Sequence, residues 1–135
     1  MDHFSLDPQL AADTIAVADL PLCAVRLMRD ANYPWLILVP RRAGLAEIID
    51  LRANEQSQLM AEIAAASEAL RASVRCDKLN VAAIGNMVRQ LHLHVIARRK
   101  DDLAWPKPVW GFAAARPYRP ADAEVLVQQL AAKLA

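Results

Sequence analysis

The chain's 135 residues suffice for one domain with a real core, and they ask for neither disulfide nor metal to hold it. Sixteen basic residues against fifteen acidic ones leave a formal charge of +1, which excludes a bulk electrostatic footprint for nucleic acid and makes any phosphate binding local. The hydrophobic share of 56% is raised by 27 alanines, and the longest strongly apolar run, WLILV, is far too short to span a bilayer, so no membrane partner is expected.

The N-terminal decapeptide MDHFSLDPQL has neither the basic start nor the apolar core of a secretion signal. Cys23 and Cys76 lie far apart without CxxC spacing and read as free thiols. A soluble cytoplasmic protein is the expectation. Along the chain, DTIAVADL and LCAVRLM are strands by their aliphatic and β-branched content, and the Asp-Leu-Pro between them predicts a hairpin turn. RDANYP is a loop, and WLILVP after it is a continuous apolar run of strand length, which predicts a buried central strand ended by Pro40. A short helical turn over LAEIID follows. The period then changes: Leu59, Ile63, Ala66, Leu70 and Val74 recur at three- and four-residue spacing, with Glu55, Glu62, Glu68 and Arg71 off that face, which predicts a helix from about residue 53 to 75.

Two further strands come next, KLNVAAI and, after the loop GNMVR, QLHLHVIAR. DDLAWPKPVWG is irregular, with two prolines, a glycine and two tryptophans, and packs by its aromatics. PADAEVLVQQLAAKLA opens with Pro120, carries Asp122 and Glu124 early and Lys133 late, and is a C-terminal helix. Five strands with one long helix between the third and fourth predict an α+β domain with a mainly antiparallel sheet.

The chemistry concentrates in QLHLHVIAR. On a strand, Gln90, His92 and His94 share one face while Leu91, Leu93 and Val95 take the core. Neighbours on one face stand about 6.5 to 7 Å apart, a spacing that suits a phosphate between two imidazoles. Neutral imidazole, with an ordinary pKa of about 6.5, is a competent nucleophile toward phosphorus, and a second imidazole can donate to a non-bridging oxygen. Two same-face histidines are also half of a zinc site, or plain structure. His3 is the only other histidine and the cysteines are distant, so no metal or other cofactor is expected.

Together with the order of elements around it, the segment resembles the histidine triad (HIT) family of nucleotide hydrolases and transferases. WLILVPRR is similar to the family's apolar strand ending in proline and basic residues. The long helix, Asn80 in KLNVAAI, a glycine-containing loop, the histidine strand, Trp105-Pro106 and Gly111 follow in the family's order. The resemblance covers about residues 13 to 111, with a helix over about 120 to 134 as an extension, all within one domain of residues 1–135. It implies a five-stranded antiparallel sheet, a homodimer and a small-molecule nucleotide partner. It also implies attack on the α-phosphate of a dinucleoside polyphosphate or related conjugate through a nucleotidyl-histidine, and the other reading is a nucleotide-binding or regulatory protein with weak or no catalysis.

By the resemblance, His92 falls at the nucleophile, His94 at the last histidine of the motif, where it contacts phosphate, and Asn80 beside that site. Gln90 stands where the family has its first histidine; glutamine donates a hydrogen bond but relays no proton, so an orienting role suits it better than an acid-base one. Met87 occupies a loop position where a Ser or Thr often assists the leaving group, and Trp35 and Ala43 stand where many members have histidines. Asn86 and Arg89 border the histidine strand as candidate phosphate contacts, and Asp30 lies where the family commonly recognises ribose hydroxyls. Arg41, Arg42, Arg98, Arg99 and Lys100 read as solvated strand ends.

Overall fold

The computed structural model describes residues 3–135; the first two, at the head of the decapeptide and of the domain as read above, lie outside the described residues. Its elements in chain order are helix α1 (Pro8–Asp13), strands β1 (Thr14–Asp19), β2 (Cys23–Met28) and β3 (Trp35–Pro40), a 3-10 turn (Ile48–Asp50), helix α2 (Ala53–Ser73), strands β4 (Lys78–Ala82) and β5 (Leu93–Arg98), and helix α3 (Pro120–Leu134). The strands form one antiparallel sheet in the order β1-β2-β3-β5-β4.

Every residue of β3 and β5 is buried because both faces of the sheet are covered. On one face Leu36, Leu38, Leu93, Val95 and Ala97 meet Leu59, Ile63, Ala66 and Leu70 of α2 and Leu126 and Leu130 of α3. On the other, Trp35, Ile37, Val39 and Ile96 lie beneath a thinner layer of Leu10, Ala104 and Val109. The helical layer fixes the sheet, and the thin layer leaves room for a cleft.

Three local features depart from the sequence expectations. Helix α1 was not anticipated; Asp7 caps it by accepting from the backbone N–H groups of Gln9 and Leu10, with Pro8 at the first helical position. Glu62, expected on the exposed side of α2, is buried, and its carboxylate accepts from the N–H groups of Leu22 and Cys23 at 2.8 and 2.7 Å. The histidine strand begins at Leu93 rather than Gln90, because the N–H of Leu91 donates to the carbonyl of Leu45 instead of entering a ladder.

Candidate active site

Register sets the histidines. His94 stands in β5 opposite Ile37 of β3 and Ala82 of β4, and His92 lies one step ahead of the strand on the same face. Leu91, Leu93 and Val95 point into the α2 side of the sheet, as the alternation requires. The two imidazoles meet edge to face with centroids 4.9 Å apart.

Their hydrogen bonds give them different protonation patterns. His92 Nδ1 lies 2.7 Å from the carbonyl oxygen of Gln90, which can only accept, so Nδ1 carries the proton and Nε2 keeps its lone pair. His94 Nδ1 lies 3.0 Å from Nε1 of Trp35, and an indole N–H can only donate, so here Nδ1 holds the lone pair and Nε2 the proton. Burial, with His92 adding to it, pushes the pKa of His94 down to about 4. The geometry therefore offers one ring nitrogen as a nucleophile and one neutral N–H as a donor.

The rings open into a cleft of about 500 Å³. Its walls are Leu10 and Asp13 of α1, Met28 of β2, Trp35 and Ile37 of β3, the loop 84–88, and Trp110, whose ring meets His94 edge-on at 5.1 Å and Trp35 at 5.9 Å. Gly85 makes the loop's turn at φ +71°, a left-handed conformation that a side chain would strain, and so brings Asn86 to Val88 to the histidines. Among the described residues that line it, Asp13 carries the one charged side chain besides the two imidazoles, of which His94 is neutral. A second cleft of about 340 Å³ shares Asp13, Met28, Trp35 and Trp110 with the first and is bordered by Arg29 and Asp30. A separate groove of about 420 Å³ between β1 and α3 is lined by no histidine or cysteine and carries no comparable chemistry.

The other sequence candidates divide. Asn86 lines the histidine cleft. Asp30 is buried in the adjoining one, where Oδ1 accepts from the N–H groups of Asn32 and Arg116 at 2.9 and 3.2 Å. Arg89 is exposed and lines neither cleft. The side chain of Gln90 turns to the N-terminal segment, its Oε1 accepting from the N–H of Asp7 and its Nε2 donating to the carbonyl of Ser5. Asn80 is drawn to Arg98, whose Nη1 donates to its Oδ1 at 2.9 Å.

Arg98 itself corrects an expectation: it is no solvated strand end, with only 1% of its side chain exposed. It forms a two-point pair with Asp102, Nε to Oδ2 at 2.8 Å and Nη2 to Oδ1 at 3.0 Å, between the rings of Tyr33 and Trp105. Leu10, Asp13 and Met28 were missed as site residues, and Trp35 was marked only as standing where many family members have a histidine. That family position was the one signal, and no sequence pattern told which strand would lie against the histidines, a pairing that sets Ile37 opposite His94. Among the described residues, no group of three or more His, Cys, Asp or Glu side chains gathers to hold a metal ion, and no helix is long and apolar enough to cross a membrane.

A family model described as HIT domain matches residues 9–101. Among solved structures, a histidine triad protein from Bradyrhizobium japonicum is similar at TM-score 0.97 and 48% identity, with 99% of this chain and 100% of that one covered. One from Sinorhizobium meliloti has TM-score 0.94 and 42% identity, with 97% of each chain covered. One from Marinobacter aquaeolei has TM-score 0.92 and 45% identity, with 99% and 100% covered. Among curated proteins none matches.

Proposed function

We propose, from the premise that this chain belongs to the HIT domain family, that it binds a nucleotide and transfers its nucleotidyl group through His92, acting at the α-phosphate of a dinucleoside polyphosphate or related conjugate. The observation that carries this reading is the opposite partners at Nδ1 of the two histidines, an acceptor carbonyl for His92 and a donor indole for His94. Nε2 of His92 attacks phosphorus, the bond to the leaving oxygen breaks with its electron pair on that oxygen, and the Nδ1–H bond to the Gln90 carbonyl stabilises the positive charge that develops on the ring. His94 donates from Nε2 to a non-bridging oxygen. Water then cleaves the nucleotidyl-histidine, returning His92 and a nucleoside monophosphate.

In this reading Gln90 takes the place of the family's first histidine and contributes its backbone carbonyl, while its amide braces the N-terminal segment that carries Leu10 and Asp13. Among the described residues, the cleft's lining besides the histidines offers only Asp13, a carboxylate, and the Asn86 amide, neither a ready acid for a poor leaving group, which favours anhydride substrates whose leaving oxygen departs as a stable anion. Asn86 serves the phosphate side, Asp30 the nucleoside side, and Arg89 acts at most from the rim. We read residues 1–135 as one domain, since α3 shares a core with α2, and the two free thiols fit a cytoplasmic setting.

Incubation with a dinucleoside polyphosphate, a base quench and mass spectrometry should reveal a nucleotidyl adduct on His92. The adduct should vanish in His92→Ala, and His94→Ala should lower kcat by about 10²- to 10³-fold, as loss of one transition-state donor does. Turnover unchanged in His92→Ala would refute nucleotidyl transfer through this residue. The exposure of Met87 at 97%, in place of a hydroxyl side chain in the cleft, favours the second reading, a nucleotide-binding protein with weak catalysis. Tight binding of a nucleoside monophosphate by calorimetry, with turnover no faster than in His92→Ala, would select it.

A further inference from the structure

His94 has two nitrogens that a proton can occupy, and nothing in its own strand chooses between them. The choice comes from β3, where Trp35 aims its indole N–H at Nδ1 from 3.0 Å. Histidine, serine or glutamine at that place can donate or accept as the proton moves; an indole can only donate. The contact is held rigidly. Trp35 is 7% exposed, Tyr33 packs against it with centroids 6.5 Å apart, and Trp110 closes on both Trp35 and His94.

We propose that Trp35 is a positioning residue that fixes neutral His94 in the Nε2–H tautomer, making it a hydrogen-bond donor into the cleft. An imidazolium would set a second N–H against the indole N–H, so the bond opposes protonation in the same direction as burial. Few groups face His94 to offset this. His92 comes from its own strand and Asp13 from the end of α1 across the cleft; β3 presents Trp35 and Ile37, β4 presents Ala82, the tail presents Trp110, and the loop 84–88 carries no charge. Taken with the nucleotidyl-transfer reading, on which only this consequence rests, His94 holds the phosphoryl oxygen and never supplies the leaving group's proton.

The test is long-range 1H–15N spectroscopy of the histidines in the intact protein without substrate. Wild-type His94 should show a protonated Nε2 and an unprotonated Nδ1 from about pH 8 down to about pH 5, where an ordinary imidazole is largely protonated. Trp35→Phe keeps an aromatic ring and removes the donor. It should yield a mixture of tautomers and an upward shift of the His94 titration. A proton on Nδ1 in the wild type, or an unchanged single tautomer in Trp35→Phe, would overturn the assignment. Should the variant fail to fold, the wild type still decides. A coupling across the hydrogen bond from the Trp35 N–H to His94 Nδ1 supports the lock, and its absence where both signals are resolved refutes it. The readout needs no turnover: the tautomer without an adduct on His92 leaves the lock standing and removes the catalytic reading, and the adduct without the tautomer does the reverse.

Discussion

At the scale of single residues, burying a neutral imidazole ties stability to pH. Folded His94 has a pKa of about 4, against about 6.5 for an exposed histidine. Between those values the unfolded chain binds a proton that the folded chain refuses, so stability rises with pH across the window. The contribution is complete above about pH 6.5 and is lost as pH falls to about 4, amounting to about 3 kcal/mol if the full shift is realised. Urea midpoints followed from pH 7.5 to 4.5 should fall steeply in the wild type and less so in His94→Asn. Parallel curves would mean that His94 is not the group responsible. The face of this residue was legible from alternation alone. Its protonation was not, because the partner that sets it is 59 positions away in sequence and is met only through strand pairing.

Among the elements, β5 is joined to the tail by the buried pair of Arg98 and Asp102. Burial raises the carboxyl of Asp102, but its bonds from Arg98 and from the N–H groups of Arg99 and Trp105 outweigh burial and hold it below the ordinary range. Such a pair is costly to break and far less costly to replace whole. Asp102→Ala should lose about 3 to 5 kcal/mol in chemical denaturation, while the double variant Arg98→Met with Asp102→Leu should lose less than either single change. Additive losses would show that the two side chains act independently and would remove the coupling between them. The sequence patterns revealed the five strands, the long helix and the C-terminal helix, since each depends on periodicity within one segment. They did not reveal α1, whose Asp-Pro start heads only six residues, and they misplaced Arg98, whose charge looked like solvent exposure until Asp102, Asn80, Tyr33 and Trp105 converged on it.

For the whole molecule, the two sheet edges are unequal. β1 is backed by α1 and α3, whereas β4, among the described residues, has a strand on one side only and exposes Val81 at 48%, followed by Ile84 at 43% and Met87 at 97%. An open, apolar edge is a template for pairing with another chain, and a twofold axis lets one edge satisfy its own copy. We expect a homodimer in which two β4 strands pair antiparallel and join the sheets, a contact that would also brace the loop 84–88 at the cleft of each copy. Light scattering should give about twice the 14.9 kDa chain mass. Val81→Lys, placing a charge where two apolar edges would meet, should release monomers, because like charges brought opposite each other across a strand pair repel. Its adduct yield should fall along with the dimer fraction if the partner steadies the loop. A wild type that scatters as a monomer at working concentrations would leave β4 uncovered and remove this role from the edge.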